Sequence, residues 1–246
     1  MQVLAQKIIL ITGASRGIGA AIARQLAAAG ASVIINYAGR QAEADQTVQT
    51  IRAAGGEALA VRADVSQPAQ VARLFEESLA HYGHLDGLVN NAGIMLTKPV
   101  QATTDEDFTR QFDVNVRGTF NTLREAATRM ADGGSIVNFS SSVVRVALPT
   151  YGTYVATKAA VEQLTRVFAK EVGARGINVN CVAPGPTNTE LFTQGKPAEA
   201  IARAAAFSAF NRLGEPDDIA HLVSFLLTDA AKWVNGQIIG ANGGMA

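Results

Sequence analysis

A tyrosine and a lysine, Tyr154 and Lys158, stand four residues apart in a stretch with a helical pattern, so their side chains share one face. A phenol with a pKa of about 10 becomes a useful acid and base near neutral pH only if its anion is stabilised, and a neighbouring ammonium does this. Ser141 precedes Tyr154 at the end of a strand-like run, where ligands bind in parallel sheets. These residues predict proton transfer to or from a substrate oxygen.

Near the start of the chain, the glycine-rich turn Thr12–Gly19 (TGASRGIG) joins a strand-like run to a helical one. Glycine permits a tight turn and lets a phosphate approach the backbone, while the start of a helix supplies unpaired N–H groups and a positive dipole end. The spacing differs from the usual GxGxxG, and glycines also end strands for purely structural reasons, but the strand before and the helix after favour a nucleotide. We therefore expect this turn to hold a dinucleotide pyrophosphate.

The end of the second strand-like run indicates which dinucleotide is bound. Proteins that bind NAD usually place an acidic residue there, where it accepts hydrogen bonds from the adenosine ribose, but Ile35–Arg40 (INYAGR) contains none. Arg40, together with Arg16 of the glycine-rich turn, could instead pair with a 2′-phosphate. The sequence predicts NADP rather than NAD, the alternative being two solvated surface arginines.

Short strand-like runs alternate with longer helical segments, an order typical of βαβ units and a parallel sheet. Ile18, Ile22 and Leu26 form an apolar helical stripe that would cover this sheet, and Gly30 would end that helix. No linker divides the chain, so we expect one α/β domain over residues 1–246, with residues 186–214 as a substrate-binding lid. The predicted strands are Ile8–Ile11, Val33–Asn36, Ala58–Arg62, Gly87–Asn90, Ser135–Phe139, Asn178–Val182 and Gln237–Ile239.

The composition of the chain argues against several classes of protein. The 246 residues include 21 Lys and Arg against 21 Asp and Glu, so no net basic charge suggests binding to nucleic acid or an anionic membrane. Cys181 is the only cysteine and cannot form an intrachain disulfide, and no apolar run reaches the roughly 18 residues of a membrane span. The histidines, His81, His84 and His221, have no matching ligand cluster, so no metal site is predicted. We expect a soluble, cytoplasmic protein.

Together, the motifs resemble those of the short-chain dehydrogenase/reductase family in its single-domain form of roughly 250 residues. The resemblance covers essentially the whole chain. It implies a doubly wound Rossmann domain whose seven-stranded parallel sheet has the order 3-2-1-4-5-6-7 and helices on both faces. The motifs that carry the resemblance are Thr12–Gly19, Asp64-Val65, Asn90-Asn91-Ala92-Gly93, Asn115, Ser141, Tyr154, Lys158 and Pro184-Gly185 with Thr189.

The resemblance also implies a role for each catalytic residue. Ser141 would hydrogen-bond the substrate carbonyl, Tyr154 would deliver a proton to its oxygen, and Lys158 would lower the tyrosine pKa and bind the nicotinamide ribose. Asn115 would hold a water that links Lys158 to solvent. The residues expected to bind the cofactor are Gly13, Ser15, Arg16, Gly17, Ile18, Gly19, Asn36, Tyr37, Arg40, Asp64, Val65, Asn90, Asn91, Ala92, Gly93, Tyr154, Lys158, Pro184, Gly185, Thr187 and Thr189.

The leading hypothesis is an NADPH-dependent carbonyl reductase acting on a small-molecule ketone. One alternative is a β-ketoacyl-acyl-carrier-protein reductase, for which Arg175 matches a basic docking position although Asp132 stands where a base is expected. Another is a nicotinamide-binding sensor or scaffold without turnover. A cleft closed by the lid would favour a hydrophobic ketone over a sugar, unless its residues are core or subunit contacts. These residues are Met95, Leu96, Val143, Val144, Leu191 and Phe192.

Charged residues make up only 17% of the chain and hydrophobic ones 48%, so apolar helix faces are expected to be covered in a symmetric oligomer. By resemblance this would be a homotetramer. Its predicted interface helices contain Phe112, Phe120, Leu123, Val161, Leu164 and Phe168.

Overall fold

Parallel strands form the centre of the structure, a computed structural model that describes residues 3–246. The strands are β1 (Ile8–Ile11), β2 (Ser32–Tyr37), β3 (Glu57–Arg62), β4 (Gly87–Asn90), β5 (Ser135–Phe139), β6 (Asn178–Pro184) and β7 (Ile238–Ala241). Their order in the sheet is β3-β2-β1-β4-β5-β6-β7, and each neighbouring pair is parallel. The predicted sheet and its strand order are confirmed.

Helices cover both faces of this sheet, which is why its strands are almost continuously apolar. Successive residues of β1 point to opposite faces, so that Ile9 and Ile11 lie in one core and Leu10 lies in the other. The helices are α1 (Gly17–Ala28), α2 (Gln41–Ala53), α3 (Pro68–Tyr82), α4 (Asp105–Phe112), α5 (Gly118–Arg129), α6 (Val143–Val146), α7 (Gly152–Glu171), α8 (Glu190–Thr193), α9 (Ala198–Ala205) and α10 (Pro216–Leu226). The first core is closed by α1, α2 and α10, and the second by α3, α5 and α7.

Residues 186–214 contain more regular structure than the sequence predicts. Thr189 precedes α8, and its hydroxyl accepts a hydrogen bond from the Phe192 amide at 3.4 Å. The other helix of this segment, α9, begins after Pro197. Both helices are about one or two turns long, which is too short for a hydrophobic period to identify them.

A π-helical segment, Asp113–Arg117, joins α4 to α5. Asn115 lies at its centre and is buried. Such π-helical turns often occur at functional sites because they shift the residues on either side of the inserted residue. The irregularity therefore coincides with one of the predicted site residues.

The predicted subunit interface is only partly exposed. Leu123, Val161 and Phe168 are buried within the protomer, so these three side chains do not reach the outer surface of the helices predicted to form the interface. That these helices meet another subunit stays a prediction. Phe120, on the outer side of α5, is 46% exposed. Apolar residues occupy both the inner and the outer side of these helices, and the sequence pattern does not distinguish the two sides.

Among residues 3–246, no helix has both the length and the hydrophobicity needed to cross a membrane. The same residues include no group of three or more His, Cys, Asp or Glu side chains placed to hold a metal ion. Cys181 is buried within β6 and is not in a disulfide.

Candidate active site

Ser141, Tyr154 and Lys158 line one cavity of about 350 Å³ at the carboxyl end of β5. Ser141 is the second residue after that strand, while Tyr154 and Lys158 lie one turn apart on α7. The carboxyl end of the neighbouring strand β6 contributes Pro184, and Gly185 follows it in the wall. The fold therefore brings the three predicted side chains together at the sheet edge where parallel α/β proteins bind ligands.

Three consecutive serines follow β5, and their hydrogen bonds distinguish them. The Ser140 hydroxyl donates to Glu162 at 2.7 Å. The Ser142 hydroxyl donates to the Ala183 carbonyl at 3.1 Å and accepts from the Asn242 amide at 2.9 Å. The Ser141 hydroxyl lies near that of Tyr154 and acts to lower the Tyr154 pKa. Two of the serines thus hold the loop in place, and Ser141 faces Tyr154.

Tyr154 is a buried phenol, 9% exposed. Burial raises the pKa of Tyr154 to about 12, and the hydrogen bond with Ser141 acts in the opposite direction. The Lys158 ammonium lies 5.8 Å from the centroid of the tyrosine ring. At neutral pH Tyr154 therefore keeps its proton, as a general acid requires.

Lys158 is also buried, and its ammonium donates a hydrogen bond to the Phe139 carbonyl oxygen at 2.9 Å. Burial lowers the pKa of Lys158 to about 8, since the charged form is the costly one away from water. The side chain is still mostly protonated at neutral pH. It can therefore stabilise a neighbouring tyrosinate.

Asn115 lies behind these residues with its side chain fully engaged. Its amide oxygen accepts from the Ile94 amide at 2.8 Å, and its amide nitrogen donates to the Ile94 carbonyl at 2.9 Å and to the Thr157 hydroxyl at 3.1 Å. Thr157 immediately precedes Lys158 on α7. Asn115 therefore ties the loop after β4 to the helix that carries the lysine.

A larger cavity, of about 930 Å³, runs from the glycine-rich turn along the ends of β2 and β3 and reaches the first cavity at Gly93 and Thr189. Gly13 has φ of +63°, and a Cβ on it would lie 2.9 Å from the Ala92 Cα. A Cβ on Gly19 would lie 2.5 Å from the Asn91 side chain. The turn therefore requires glycine at both positions, and it leaves backbone exposed along the cavity. The residues present fit an elongated dinucleotide.

Nearly all predicted cofactor residues line these two cavities. The larger one is lined by Gly13, Ser15, Arg16, Gly17, Ile18, Gly19, Asn36, Tyr37, Arg40, Asp64, Val65, Asn91, Ala92, Gly93 and Thr189, and the smaller one by Tyr154, Lys158, Pro184, Gly185 and Thr187. Asn90 lines neither. It is buried, donates to Asn138 at 2.8 Å and accepts from the Thr122 hydroxyl at 2.7 Å, so it ties β4 to β5 and α5.

Arg16 and Arg40, which the sequence assigns to a phosphate, converge on an acidic residue. Both guanidinium groups form ion pairs with Glu190, the first residue of α8, and the pair with Arg40 measures 3.2 Å. Arg40 also pairs with Glu43 of α2 at 2.9 Å. Burial and the Arg40 charge lower the pKa of Arg16. In the structure the two arginines therefore contact the same carboxylate.

The smaller cavity contains four of the six residues predicted to form a substrate cleft. Met95, Val143, Leu191 and Phe192 line it, whereas Leu96 and Val144 do not. The sequence reasoning missed the face of α9 that completes the wall. Because α9 is only about two turns long, its hydrophobic period could not have revealed this face. The additional lining residues include Ile94, Leu148, Tyr151, Lys196, Ala200, Arg203, Ala204, Phe207 and Met245.

A family model, related sequences and a solved structure each match nearly the whole chain. A family model described as "Enoyl-(Acyl carrier protein) reductase" matches residues 13–246. The chain is 43% identical over 251 residues to a short-chain type dehydrogenase/reductase of Picea abies, covering 98% of this chain and 93% of that protein. It is 42% identical over 255 residues to an NADPH-dependent aldehyde reductase-like protein, chloroplastic, of Arabidopsis thaliana, covering 98% and 94%. The solved structure of the angucycline C-6 ketoreductase LanV with bound NADP has a TM-score of 0.94 at 39% identity, covering 98% and 96%.

Proposed function

We propose an activity from the premise that this chain belongs to the short-chain dehydrogenase/reductase family and is therefore an oxidoreductase. It is an NADP(H)-dependent carbonyl reductase that interconverts a ketone and a secondary alcohol. The observation that carries this proposal is the meeting of Ser141, Tyr154 and Lys158 in a cavity that joins the glycine-lined cleft. The names of the Arabidopsis relative and of the NADP-bound ketoreductase support the same reaction and cofactor.

The larger cavity would hold NADP(H). The glycine-rich turn would bind the pyrophosphate, and Arg16 and Arg40 would bind the 2′-phosphate. By family resemblance, Asp64 and Val65 would contact the adenine, and Thr187 and Thr189 the nicotinamide carboxamide. When bound, NADPH would supply the hydride for the reduction.

The residues of the smaller cavity would handle the proton. Ser141 would donate a hydrogen bond to the carbonyl oxygen as negative charge grows there. Tyr154 would give its proton to that oxygen in reduction and recover it in oxidation. Lys158 would stabilise the tyrosinate, and a water would restore the proton from solvent. By family resemblance that water would be held at Asn115, whose backbone carbonyl accepts a hydrogen bond from the Thr119 hydroxyl at 3.0 Å and has a second lone pair for the water.

A single-turnover experiment separates this enzyme from a sensor that only binds the cofactor. Purified protein is mixed with NADPH and a panel of ketones, and the absorbance of the reduced nicotinamide is followed. Loss of absorbance that requires both protein and ketone is the expected result. NADPH that binds but persists with every ketone would favour the sensor.

Replacing Ser141 with Ala should lower kcat by about 10²–10³-fold, because one donor to the developing oxyanion is lost. Ser142→Ala is the matched control, since that hydroxyl bonds Ala183 and Asn242 instead. It should keep kcat within about tenfold and lower the thermal midpoint slightly. Steady-state kinetics of both variants, with a melting curve, test this. The opposite ranking would assign the oxyanion donor to Ser142.

We also propose that the substrate is a hydrophobic ketone. Aliphatic and aromatic side chains from the loop after β4, from α6 and from residues 186–214 dominate the wall around Tyr154. The lining includes basic side chains, Lys158, Lys196 and Arg203, but no acidic one among the residues that the structure describes. In this proposal the 186–214 segment acts as the lid.

The carrier-protein alternative depends on Arg175 being available for an acidic partner. Its guanidinium instead pairs with Asp132 at 2.7 Å and donates to the carbonyl oxygens of Ala127 and Met130. Acyl-carrier-protein thioesters should therefore have kcat/KM values no better than those of short thioester mimics. Kinetics at rising salt concentration test this, because charged rim contacts are salt-sensitive. A strong carrier preference that fades with salt would restore the alternative.

We propose a homotetramer as the assembly. Phe108, Phe120 and Val167, on α4, α5 and α7, are each about half exposed, and Trp233 is 99% exposed. Exposed apolar side chains of this kind are usually buried between the subunits of a symmetric homo-oligomer. Light scattering at micromolar concentration should give four times the chain mass, and a monomer would contradict the proposal.

A further inference from the structure

Glu190 connects the substrate side of the molecule to the phosphate side of the cofactor cleft. Its carboxylate contacts Arg16 of the glycine-rich turn and Arg40 at the start of α2. Glu190 follows β6, Arg16 follows β1 and Arg40 follows β2, so the three residues come from different parts of the chain. Within residues 3–246, no other acidic side chain pairs with Arg16.

The formal charges of this cluster sum to zero. Arg16 and Arg40 supply two positive charges, and Glu43 and Glu190 supply two negative ones. A 2′-phosphate would bring close to two more negative charges, so one carboxylate has to leave the guanidinium groups that the phosphate needs. Two like anions at one arginine pair would otherwise repel each other.

The two carboxylates differ in how firmly they are held. Glu43 lies within α2, one turn from Arg40, and needs no tertiary contact to stay there. Glu190 is exposed and begins the one-turn helix α8, whose N-terminus is capped by the Thr189 hydroxyl. Glu190 is therefore the acid that can move away.

We propose that Glu190 is a specificity-determining residue that occupies the 2′-phosphate position until NADP(H) displaces it. This inference rests on the proposed NADP(H) function. The displacement has a second effect, because Leu191 and Phe192, the next residues of α8, wall the substrate cavity. Phosphate binding at Arg16 and Arg40 thus releases an anchor of the segment that covers the substrate.

Binding of 2′,5′-ADP tests the competition directly, because this fragment carries the phosphate but no nicotinamide and cannot be turned over. Exposed ion pairs each contribute a few-fold to a binding equilibrium, so Glu190→Gln should bind 2′,5′-ADP about 3–10-fold more tightly than the wild type by calorimetry. 5′-ADP, which lacks the 2′-phosphate, should bind both proteins equally. Glu43→Gln, the matched control, leaves the pair between Arg16 and Glu190 intact and should change the affinity by less than about twofold.

Unchanged or weaker binding of 2′,5′-ADP to Glu190→Gln would overturn the proposal. Weaker binding would mean that Glu190 orients the arginines for the phosphate instead of competing with it. An equal gain in Glu43→Gln would also overturn it, because the effect would then be one of general charge.

Hydrogen exchange of the wild type needs no variant. Saturating 2′,5′-ADP should speed the exchange of the backbone amides of α8, whereas 5′-ADP should not, and Glu190→Gln should exchange fast with or without ligand. Unchanged or slower exchange with 2′,5′-ADP contradicts the release of the anchor.

If Arg16→Ala and Arg40→Ala bind 2′,5′-ADP as tightly as the wild type, the proposed phosphate site itself fails. If Arg16→Ala and Arg40→Ala bind 2′,5′-ADP more weakly but Glu190→Gln shows neither tighter binding nor faster exchange, the phosphate site stands and only the proposed role of Glu190 is contradicted.

Discussion

Replacing Tyr154 with Phe will reduce ketone turnover by about 10⁴-fold or more, at the upper end of what general acid–base catalysis contributes, and will leave NADPH affinity within about twofold. The phenol is buried, so phenylalanine fills the same space and the walls of the cofactor cleft remain in place. What is lost is the hydroxyl group, whose pKa burial keeps high enough for it to carry a proton at neutral pH. The measurements are kcat from NADPH oxidation and the NADPH Kd from a fluorescence titration.

Tyr151→Phe is the matched control for this experiment. Tyr151 lines the same cavity, its ring centroid lies 6.3 Å from that of Tyr154, and burial raises its pKa as well. It precedes α7 and does not share a helical face with Lys158. We expect this variant to keep kcat within about tenfold of the wild type. Retention of a tenth of the wild-type rate by Tyr154→Phe would show that another group donates the proton.

The sheet could be predicted closely because buried parallel strands form continuous β-branched runs. The bounds of β4 and β5 agree with the prediction at both ends. β6 extends to Pro184, two residues beyond the predicted end. Proline lacks the backbone N–H that a strand interior needs, so it is not expected within a central strand. Pro184 can pair with Ala241 because it is the last residue of its strand.

The candidate site could be predicted where a residue type occupies a strand end or a fixed helical spacing, as Ser141, Tyr154 and Lys158 do. Contacts between distant segments could not, which is why the Glu190 pairs and the pairing of Arg175 with Asp132 are visible only in the structure. Backbone strain was equally hidden. Ala147 and Thr150 have φ of 54° and 72° in the loop before Tyr154, and neither residue type favours that region.

The structure also changes how cofactor choice should be tested. Tyr37 ends β2, where an acid would select NAD, but its side chain is buried in the core, so Tyr37→Asp would destabilise the fold. Ala38 is exposed, lines the same cleft and is the better position for a carboxylate. We expect Ala38→Asp to weaken NADPH by repulsion of the 2′-phosphate and to strengthen NADH, since the carboxylate accepts hydrogen bonds from the ribose hydroxyls.

Arg16→Ala and Arg40→Ala should each weaken NADPH by roughly 10–100-fold, since a charge-assisted hydrogen bond is worth about 1.5–3 kcal/mol and about 1.4 kcal/mol corresponds to a tenfold change. The lower end is expected, because Glu190 already contacts both guanidinium groups and the phosphate gains only the difference. NADH should be almost unaffected. Arg73→Ala is the control, since Arg73 pairs with Glu77 on α3 and does not line the cleft. Values of kcat/KM for both cofactors test these three variants and Ala38→Asp. An equal loss of NADPH and NADH in the Arg16 and Arg40 variants would mean that these arginines do not read the 2′-phosphate.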